Sequence, residues 1–446
     1  MKIIYLIIAL LGVFNLSFCQ EGFKFNSDKN KISIPFKLYS NLIIVPVNLN
    51  GIDMNFLLDT GVDNTILFSL EKTDSVEFKN VKKIEMLGLG VGEPIEALFS
   101  KNNQLKINDF IDVNHDLFII LDQEINFSSQ IGVPVHGIIG YQFFKNHLVE
   151  LNYRTRKINI YRNNDAFSQK KMKSFDVLPM VIERKKPYIN SQVTLNGKEM
   201  DTKLLVDSGG SDAIWLFENE NKGIVTPPVF FDDFLGYGFS GEIFGKRSRV
   251  EKIKLGKFVI GNSTISFPDK ESIKHLNMVS GRNGSIGSEI LKRFHILFDY
   301  SNGKMYLKKN QHFPDPFNYN MSGIDIAHNG LRWVQEKVEL KANLEPSINS
   351  NVKDLTKGSV PLKSFKYQFT LKPKYEVIKV RPNSPADLAG FKVGDILTNV
   401  NGNYAHEYKL QEIIEMMRSE EGRVIKLEVQ RNGETVKGKF EIKKIL

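Results

Sequence analysis

The chain of 446 residues contains a single cysteine, two tryptophans and no apolar run long enough to cross a membrane. Because Cys19 lies within the first twenty residues, we expect neither disulfides nor a thiol nucleophile in the rest of the chain. The longest apolar run, residues 3–14, is shorter than the roughly 18 residues of a membrane span, so we expect no transmembrane segment.

Two catalytic signatures are also missing: the His-Glu-x-x-His pattern of zinc enzymes and the Gly-x-Ser-x-Gly turn of serine hydrolases. The eight histidines are scattered without the spacing of metal ligands. The sequence therefore predicts no metal and no cofactor. The net charge of +9 is spread along the chain, and its longest basic cluster, Arg184-Lys185-Lys186, has no interleaved aromatic residues. We therefore predict no nucleic-acid partner.

The N-terminus has the pattern of a secretory signal peptide, since Lys2 precedes the apolar run and Ser17 and Cys19 follow it. We interpret residues 1–19 as a signal peptide and expect export to the periplasm or the cell exterior. A lipoprotein signal ending at Cys19 is the competing interpretation. The bulky Phe18 stands where such signals usually have a small residue, so we favour cleavage without lipid anchoring.

An internal repeat organises the first 310 residues. The motifs LNG at 49–51 and FLLDTG at 56–61 return as LNG at 195–197 and LLVDSG at 204–209, which places the two aspartates 148 positions apart. Three further pairs of motifs repeat at nearly the same offset: GLG at 88–90 with GYG at 236–238, GIIG at 137–140 with GSIG at 284–287, and LNY at 151–153 with FDY at 298–300. This register indicates a duplicated domain.

Each half has the sequence pattern of β-strands, because short apolar runs alternate with turn pairs. Two of these pairs, Asn50-Gly51 and Asn196-Gly197, are typical of type I′ hairpins. Short helices are expected at 141–146 and 288–293. The predicted organisation is a first lobe over 20–163, a connection over 164–174, a second lobe over 175–309, a linker over 310–319 and a C-terminal module over 320–446.

Each half presents one aspartate, Asp59 or Asp207, directly after an apolar strand. Peptide hydrolysis without a metal or a covalent nucleophile needs a base that takes a proton from water and an acid that protonates the carbonyl oxygen and the leaving amine. Two close carboxyl groups that share one proton supply both, because like charges at short distance cannot both ionise. One such motif is weak, but two motifs in register indicate a catalytic pair.

On these motifs, residues 30–310 resemble the aspartic protease superfamily, the pepsin-like and retropepsin-like enzymes. The resemblance implies a mainly β fold of two acid-protease β-barrel lobes, a polypeptide substrate and a monomer. It implies catalytic roles for Asp59 and Asp207. It also implies that the hydroxyls of Thr60 and Ser208 lock the two loops across the lobe interface, and that Gly61 and Gly209 allow the backbone to approach the carboxylates.

Three positions depart from the family pattern. Val62 and Gly210 follow the motifs where Ser, Thr or Ala is usual, so neither side chain donates a hydroxyl hydrogen bond to its aspartate, and the carboxyl pKa should rise modestly. Ser285 is polar within the second glycine motif. The possible flap over the substrate is Gly88-Leu89-Gly90, with a plain loop as the alternative; the flap tyrosine of pepsin-like enzymes is missing there, while Tyr237 occupies the matching place in the second half.

The last module contains SPADLAGFKVGDIL at 384–397 and VNG at 400–402, a long pattern similar to PDZ domains linked to bacterial proteases. The resemblance implies an α+β fold that adds an extended peptide, usually a C-terminus, to a sheet edge. Its predicted peptide-binding loop is Met321, Ser322, Gly323 and Ile324, and an insertion lies around 342–363. A helix over 407–418 and strands over 424–431 and 435–442 should complete it. A module that only packs is the alternative.

Three functional hypotheses remain at this point. The first is an exported aspartic endopeptidase whose PDZ domain binds substrate or a partner peptide. The second is a catalytically weak or inactive peptide-binding protein that retains the protease cleft. The third is a scaffold in which the PDZ domain carries the function.

Overall fold

The computed structural model describes residues 22–446 except 71–75, 87–94, 121–126, 164–165, 239–240 and 340–364. The predicted signal peptide therefore lies outside the described residues, and so does the possible flap. The chain is mainly β and forms two compact units. The large unit consists of residues up to 126 together with 135–317, and the small unit consists of 127–134 together with 318–445.

The strands of the first half of the large unit are β1 (Lys24–Phe25), β2 (Lys31–Pro35), β3 (Lys37–Tyr39), β4 (Leu42–Leu49), β5 (Ile52–Leu58), β6 (Thr65–Leu67), β7 (Lys82–Met86), β8 (Ile95–Ile107), β9 (Phe110–Ile120), β10 (Gly137–Ile139), β11 (Leu148–Asn152) and β12 (Lys157–Tyr161). Those of the second half are β13 (Asp176–Glu183), β14 (Lys186–Leu195), β15 (Lys198–Val206), β16 (Ile214–Leu216), β17 (Phe231–Gly238), β18 (Gly241–Leu255), β19 (Phe258–Pro268), β20 (Arg282–Ile286), β21 (Phe294–Asp299) and β22 (Lys304–Lys309).

The helices are short. In chain order they are α1 (Phe127–Ile131), α2 (Tyr141–Phe144), α3 (Gln169–Met172), α4 (Lys270–Ile273), α5 (Ser288–Leu291), α6 (Pro385–Leu388) and α7 (Leu410–Met417), with 3-10 turns at Glu220–Lys222 and Ala405–Glu407. The helices expected after the two glycine motifs are confirmed as α2 and α5, and each ends two residues earlier than predicted.

The two halves repeat one arrangement of strands. In the first, β5 pairs with β4 on one side and in parallel with β10 on the other; in the second, β15 pairs in the same way with β14 and β20. The predicted hairpin turns are confirmed, because Asn50, Gly51, Asn196 and Gly197 all have positive φ. This common arrangement brings each aspartate to the end of a buried strand.

One sheet is shared by the halves. Its strand order β13-β22-β21-β11-β12-β2 joins strands of the second half to strands of the first through the antiparallel pair β11 and β21. The buried apolar side chains of both halves, among them Phe56, Leu58, Val206 and Ile286, belong to one continuous core. Because side chains in such a core are close-packed, the loops that carry Asp59 and Asp207 are fixed relative to each other.

The predicted linker is fastened to the large unit as far as Phe317. The guanidinium of Arg293 is fully buried, donates to the backbone carbonyls of His312, Phe313, Asp315 and Pro316, and lies 3.6 Å from the centroid of the Phe317 ring. Glu289 neutralises it at 2.8 Å. A buried charge needs such partners, so this arginine holds the segment in place.

The small unit contains a sheet in the order β23-β24-β25-β27-β28, with β26 beside β25. Its strands are β23 (Ile324–Glu339), β24 (Phe365–Val380), β25 (Ile396–Val400), β26 (Asn403–Tyr404), β27 (Val424–Arg431) and β28 (Glu434–Glu441). The predicted helix and the last two strands are confirmed as α7, β27 and β28. Helix α1 also belongs to this unit and packs against β23.

Candidate active site

Each aspartate is held by the strand that crosses behind its loop. Asp59 directly follows β5 and its N–H donates to Ile139 O at 2.9 Å; Asp207 directly follows β15 and its N–H donates to Ile286 O at 2.9 Å. The apolar residues before each aspartate are buried in the core. Each strand therefore ends just before its aspartate, and the carboxyl group lies at the start of the loop that follows. The repeat in the sequence thus corresponds to two equivalent loops.

Thr60 and Ser208 lock these loops together. The Thr60 N–H donates to Ser208 Oγ and the Ser208 N–H donates to Thr60 Oγ1, both at 3.0 Å. The hydroxyls donate in turn to the carbonyls of Val206 and Leu58, at 2.6 and 2.9 Å. Both side chains are fully buried, so this exchange is shielded from water.

The structure brings the carboxyl groups of Asp59 and Asp207 together, because a Cβ built at Gly61 would lie 3.0 Å from Asp207 Oδ1 and 3.1 Å from Asp59 Oδ1. Burial, followed by the charge of Asp207, raises the pKa of Asp59 to about 8, against the opposing effects of the Gly61 N–H and Lys186. Such a shift means that the pair retains one proton near neutral pH.

Backbone donors distinguish the two carboxyl groups. Asp59 Oδ1 accepts the Gly61 N–H at 2.6 Å. Asp207 Oδ1 accepts two, from Gly209 at 3.0 Å and Gly210 at 2.9 Å. Because N–H donors stabilise the ionised form and Asp59 has fewer of them, the shared proton is expected on Asp59.

Gly209 lies directly against the opposite carboxyl group. A Cβ at this position would be 2.1 Å from Asp59 Oδ2, whereas one at Gly61 would be 3.0 Å from Asp207 Oδ1. Only the loop with Gly209 therefore strictly needs glycine for the carboxyl groups to meet.

The structure accounts for two of the departures from the family pattern. Gly210 has no hydroxyl, but its own N–H takes the place of a donor to Asp207. Ser285 accepts a hydrogen bond from the Arg282 guanidinium at 2.9 Å, which gives its hydroxyl a partner in a buried position. We have no corresponding account of Val62.

Several residues at the site were missed by sequence reasoning. Ser288, the first residue of α5, donates its hydroxyl to Ser208 O at 2.8 Å and its N–H to Gly210 O at 2.7 Å. Asn41, at the turn between β3 and β4, reaches into the second half and donates to Ser211 O at 3.1 Å and to Glu289 Oε2 at 2.7 Å. The positive φ of Asn41 marks a tight turn, but the sequence carried no sign of its distant partner.

The possible flap Gly88-Leu89-Gly90 lies outside the described residues. The strands that flank it, β7 and β8, form an antiparallel pair that ends with Met86 opposite Ile95. In the second half the matching pair is β17 and β18, with Tyr237 opposite Glu242 and a hydrogen bond of 3.2 Å between them. Tyr237 is thus placed near the end of a hairpin.

The predicted peptide-binding loop of the small unit is buried, and three of its N–H groups donate to other protein atoms. The N–H of Gly323 donates to Asn320 Oδ1 at 3.2 Å and that of Ile324 to Ser322 Oγ at 3.3 Å, while the N–H of Met321 donates to Met417 O. Two side-chain oxygens therefore occupy donors that a peptide carboxylate would use. Carboxylate binding at this loop stays a prediction.

Among the described residues, no group of three or more His, Cys, Asp and Glu side chains is arranged to hold a metal ion. In the same part of the chain, every helix is too short or too polar to span a bilayer.

Comparison with known proteins finds two family models, each of which matches part of the chain. Residues 45–143 match the aspartyl protease family model and residues 376–431 match a PDZ domain model. A solved aspartic proteinase from Irpex lacteus covers 64% of this chain and 99% of its own length, at 12% identity and a TM-score of 0.38. No curated protein matches.

Proposed function

We propose that this chain, which contains an aspartyl protease-like domain and a PDZ domain, is an exported aspartic endopeptidase that uses Asp59 and Asp207 to activate water. The observation that carries the proposal is the contact between two carboxyl groups from equivalent loops, one of which has a strongly raised pKa. Because a single chain supplies both aspartates, the enzyme acts as a monomer.

The proposed reaction uses the pair as base and acid together. Asp207 takes a proton from water while its oxygen attacks the peptide carbonyl carbon, and Asp59 gives its proton to the carbonyl oxygen. In the resulting diol, one hydroxyl returns its proton to Asp59 as the C–N bond breaks, and Asp207 gives its proton to the leaving nitrogen. The carboxyl groups end as they began, so no cofactor is required.

Incubation with a mixture of unfolded proteins tests this proposal, with new termini identified by mass spectrometry. Wild type should release peptides, and both Asp59→Asn and Asp207→Asn should release none. Asp53→Asn is the matched control, because Asp53 lies on the same strand β5, is exposed and accepts only a local hydrogen bond from Asn48 among the contacts described. Pepstatin-insensitive cleavage that persists in Asp59→Asn would overturn the proposal.

A peptide-binding protein without turnover is the second candidate, and Val62 is the observation that favours it, since its side chain provides no hydroxyl donor beside Asp59. If wild type binds extended peptides yet cuts none between about pH 3 and 8, where one carboxyl of such a pair should be ionised, this candidate replaces the first.

The PDZ domain is proposed to bind an extended peptide through the loop of Met321 to Ile324. A C-terminal carboxylate would displace the side-chain oxygens of Asn320 and Ser322 from the loop N–H groups. In the full-length Asp59→Asn variant, a labelled peptide with a free carboxylate should bind more tightly than the same peptide as an amide. Equal Kd values would contradict carboxylate recognition, and no binding of either peptide would contradict peptide capture altogether.

Export is part of the proposal because residues 1–19 have the pattern of a secretory signal peptide. The mature protein from the native host should begin at Gln20 and appear outside the cytoplasm, in the periplasm or the medium. Intact mass determination is the measurement: retention of residues 1–19 would contradict processing, and a lipid-sized addition on Cys19 would contradict cleavage without anchoring.

A further inference from the structure

One position in the duplicated fold is filled differently in the two halves. Pairing registers define the equivalence: Ile66 opposes Phe118, and Phe118 opposes Phe99, on β6, β9 and β8. In the second half Trp215 opposes Ser266, and Ser266 opposes Arg247, on β16, β19 and β18. Arg247 therefore stands where the first half has Phe99.

The neighbouring strand extends this difference. Lys82 pairs with Phe99 and Phe231 pairs with Arg247, so Asp233, two residues after Phe231, corresponds to Ile84. The first half thus has apolar side chains at Ile66, Ile84, Phe99 and Phe118, and the rings of Phe99 and Phe118 lie 5.0 Å apart. It keeps an aspartate at Asp63, three residues before Ile66, just as Asp212 lies three residues before Trp215. The second half has polar and charged groups at the positions of Ile84, Phe99 and Phe118.

In the second half these groups form one network around Arg247. The Arg247 Nε donates to Asp233 Oδ2 at 2.7 Å and its Nη1 donates to Asp212 Oδ1 at 3.0 Å. The other oxygen of Asp212 accepts from Trp215 Nε1 at 2.8 Å and from Ser266 Oγ at 2.9 Å. Arg247 uses both edges of its guanidinium, an arrangement that a lysine cannot reproduce.

The free-energy cost of burying these charged groups indicates that the network has a role beyond folding. Arg247 exposes only 11% of its side chain, and removing charges from water is unfavourable unless each is paired. Burial pushes the pKa of Asp212 upward, but Arg247, Trp215 and Ser266 outweigh it and hold that pKa below its usual value. In the first half the positions of Arg247 and Asp233 hold Phe99 and Ile84, so the fold itself does not demand this pair of charges.

The network connects the catalytic loop to a hairpin. Asp212 ends the loop that begins at Asp207, and its backbone O accepts from Glu289 N at 3.3 Å. Asp233 and Arg247 lie on β17 and β18, the hairpin that carries Tyr237 near its end. The loop is also held by Ser288 and Gly287, through Gly210 O and Ala213 O, so its position does not depend on Arg247 alone.

We propose that Arg247 is a positioning residue that fixes the hairpin of β17 and β18 against the catalytic loop, so that the hairpin serves as a rigid wall for bound polypeptide. This inference rests on the proposed function. Because the loop has other anchors, loosening the hairpin weakens substrate binding and leaves the chemical step intact. Loss of Arg247 therefore acts on KM, whereas simple loss of folded protein acts on the apparent kcat.

The test uses fluorescein-labelled unfolded casein with three variants of the full chain. Arg247→Lys keeps the charge but not both hydrogen bonds, and Asp233→Asn keeps the shape but not the charge. Arg249→Lys is the control, since Arg249 lies two residues away on β18 and donates instead to the carbonyls of Asn262 and Phe317. Casein is measured as a substrate in the wild-type background and as a ligand in the Asp59→Asn background.

We expect about a tenfold increase in KM for Arg247→Lys and Asp233→Asn with kcat within about twofold of wild type, and no change for Arg249→Lys. In the Asp59→Asn background, Kd should rise by a similar factor. The Kd measurement does not need turnover, so it decides the inference even if wild type cuts no casein. Unchanged KM and Kd in both variants would overturn the proposal, as would failure of both variants to fold.

Discussion

Thr60 and Ser208 exchange backbone-to-hydroxyl hydrogen bonds of 3.0 Å across the two halves, although they are 148 positions apart in the chain. This exchange sets the distance between the loops that carry Asp59 and Asp207. The close contact of the carboxyl groups follows from it, and with that contact the shared proton on which the proposed chemistry depends.

The lock itself is testable by mutation. Thr60→Val removes the hydroxyl that Ser208 N–H and Val206 O need, and leaves both without this partner in a buried place. Each unsatisfied group costs about 1–3 kcal/mol, so the free energy of unfolding in urea should fall by a few kcal/mol. Thr60→Ser restores the hydroxyl and should recover most of the loss. Equal stability of Thr60→Val and Thr60→Ser would contradict this account of the lock.

The raised pKa of Asp59 predicts that the folded state becomes less stable as the pH rises. The pKa of Asp59 is about 8 in the folded chain, above its ordinary value of 3.8, so ionisation disfavours the folded state. The cost is absent below about pH 4 and grows as pH rises toward 8. Asp59→Asn removes it, and the Tm gain over wild type should increase across that range. A gain that is constant with pH would contradict the shift.

Asp53→Asn provides the control for that measurement. Asp53 is exposed on the same strand, so its replacement should leave the pH dependence of Tm unchanged. A similar pH-dependent gain in this variant would show that the effect is not specific to the pair.

Glycine at 209 should matter more for activity than for stability. Gly209→Ala places a methyl group 2.1 Å from Asp59 Oδ2, which forces the carboxyl groups apart. We expect kcat to fall by about 100-fold or more, because a misplacement of about 1 Å in an active site costs that much. Gly261→Ala, whose nearest contact is 3.6 Å, should leave kcat unchanged. Wild-type kcat for Gly209→Ala would contradict the close approach.

A hydroxyl can be restored beside Asp207. A Cβ at Gly210 would lie 3.5 Å from the Asp207 carboxyl carbon, an ordinary contact, so Gly210→Ser should be accommodated. Its hydroxyl would stabilise the ionised form and lower the acidic pKa of the pair, which moves the acidic limb of the pH–rate profile downward by about one unit or less. An upward movement would contradict a stabilising hydrogen bond from this hydroxyl to the pair.

The sequence predicted the pairing of Asp59 with Asp207 and the two-half organisation, because both depend on short motifs that repeat in register. It predicted the PDZ domain because residues 384–402 match a long pattern. It missed the Arg247 network, since that network depends on which residues oppose each other across β16, β18 and β19, and strand register is not readable from motifs. A charged residue 148 positions after Phe99 was the available signal. The partners of Asn41 were missed because they lie 170 and 248 positions away in the chain. Those of Arg293 were missed because they are mostly backbone carbonyls, which no sequence motif marks.

The central claim is that Asp59 and Asp207 act as one catalytic pair, and a pH–rate profile tests it most directly. A quenched peptide derived from a fragment that wild type releases is measured with wild type, Asp59→Asn and Asp207→Asn. The account predicts a bell-shaped profile of kcat/KM for wild type and a loss of about 1,000-fold or more in both variants at every pH. Either variant retaining a tenth of wild-type kcat/KM would contradict it.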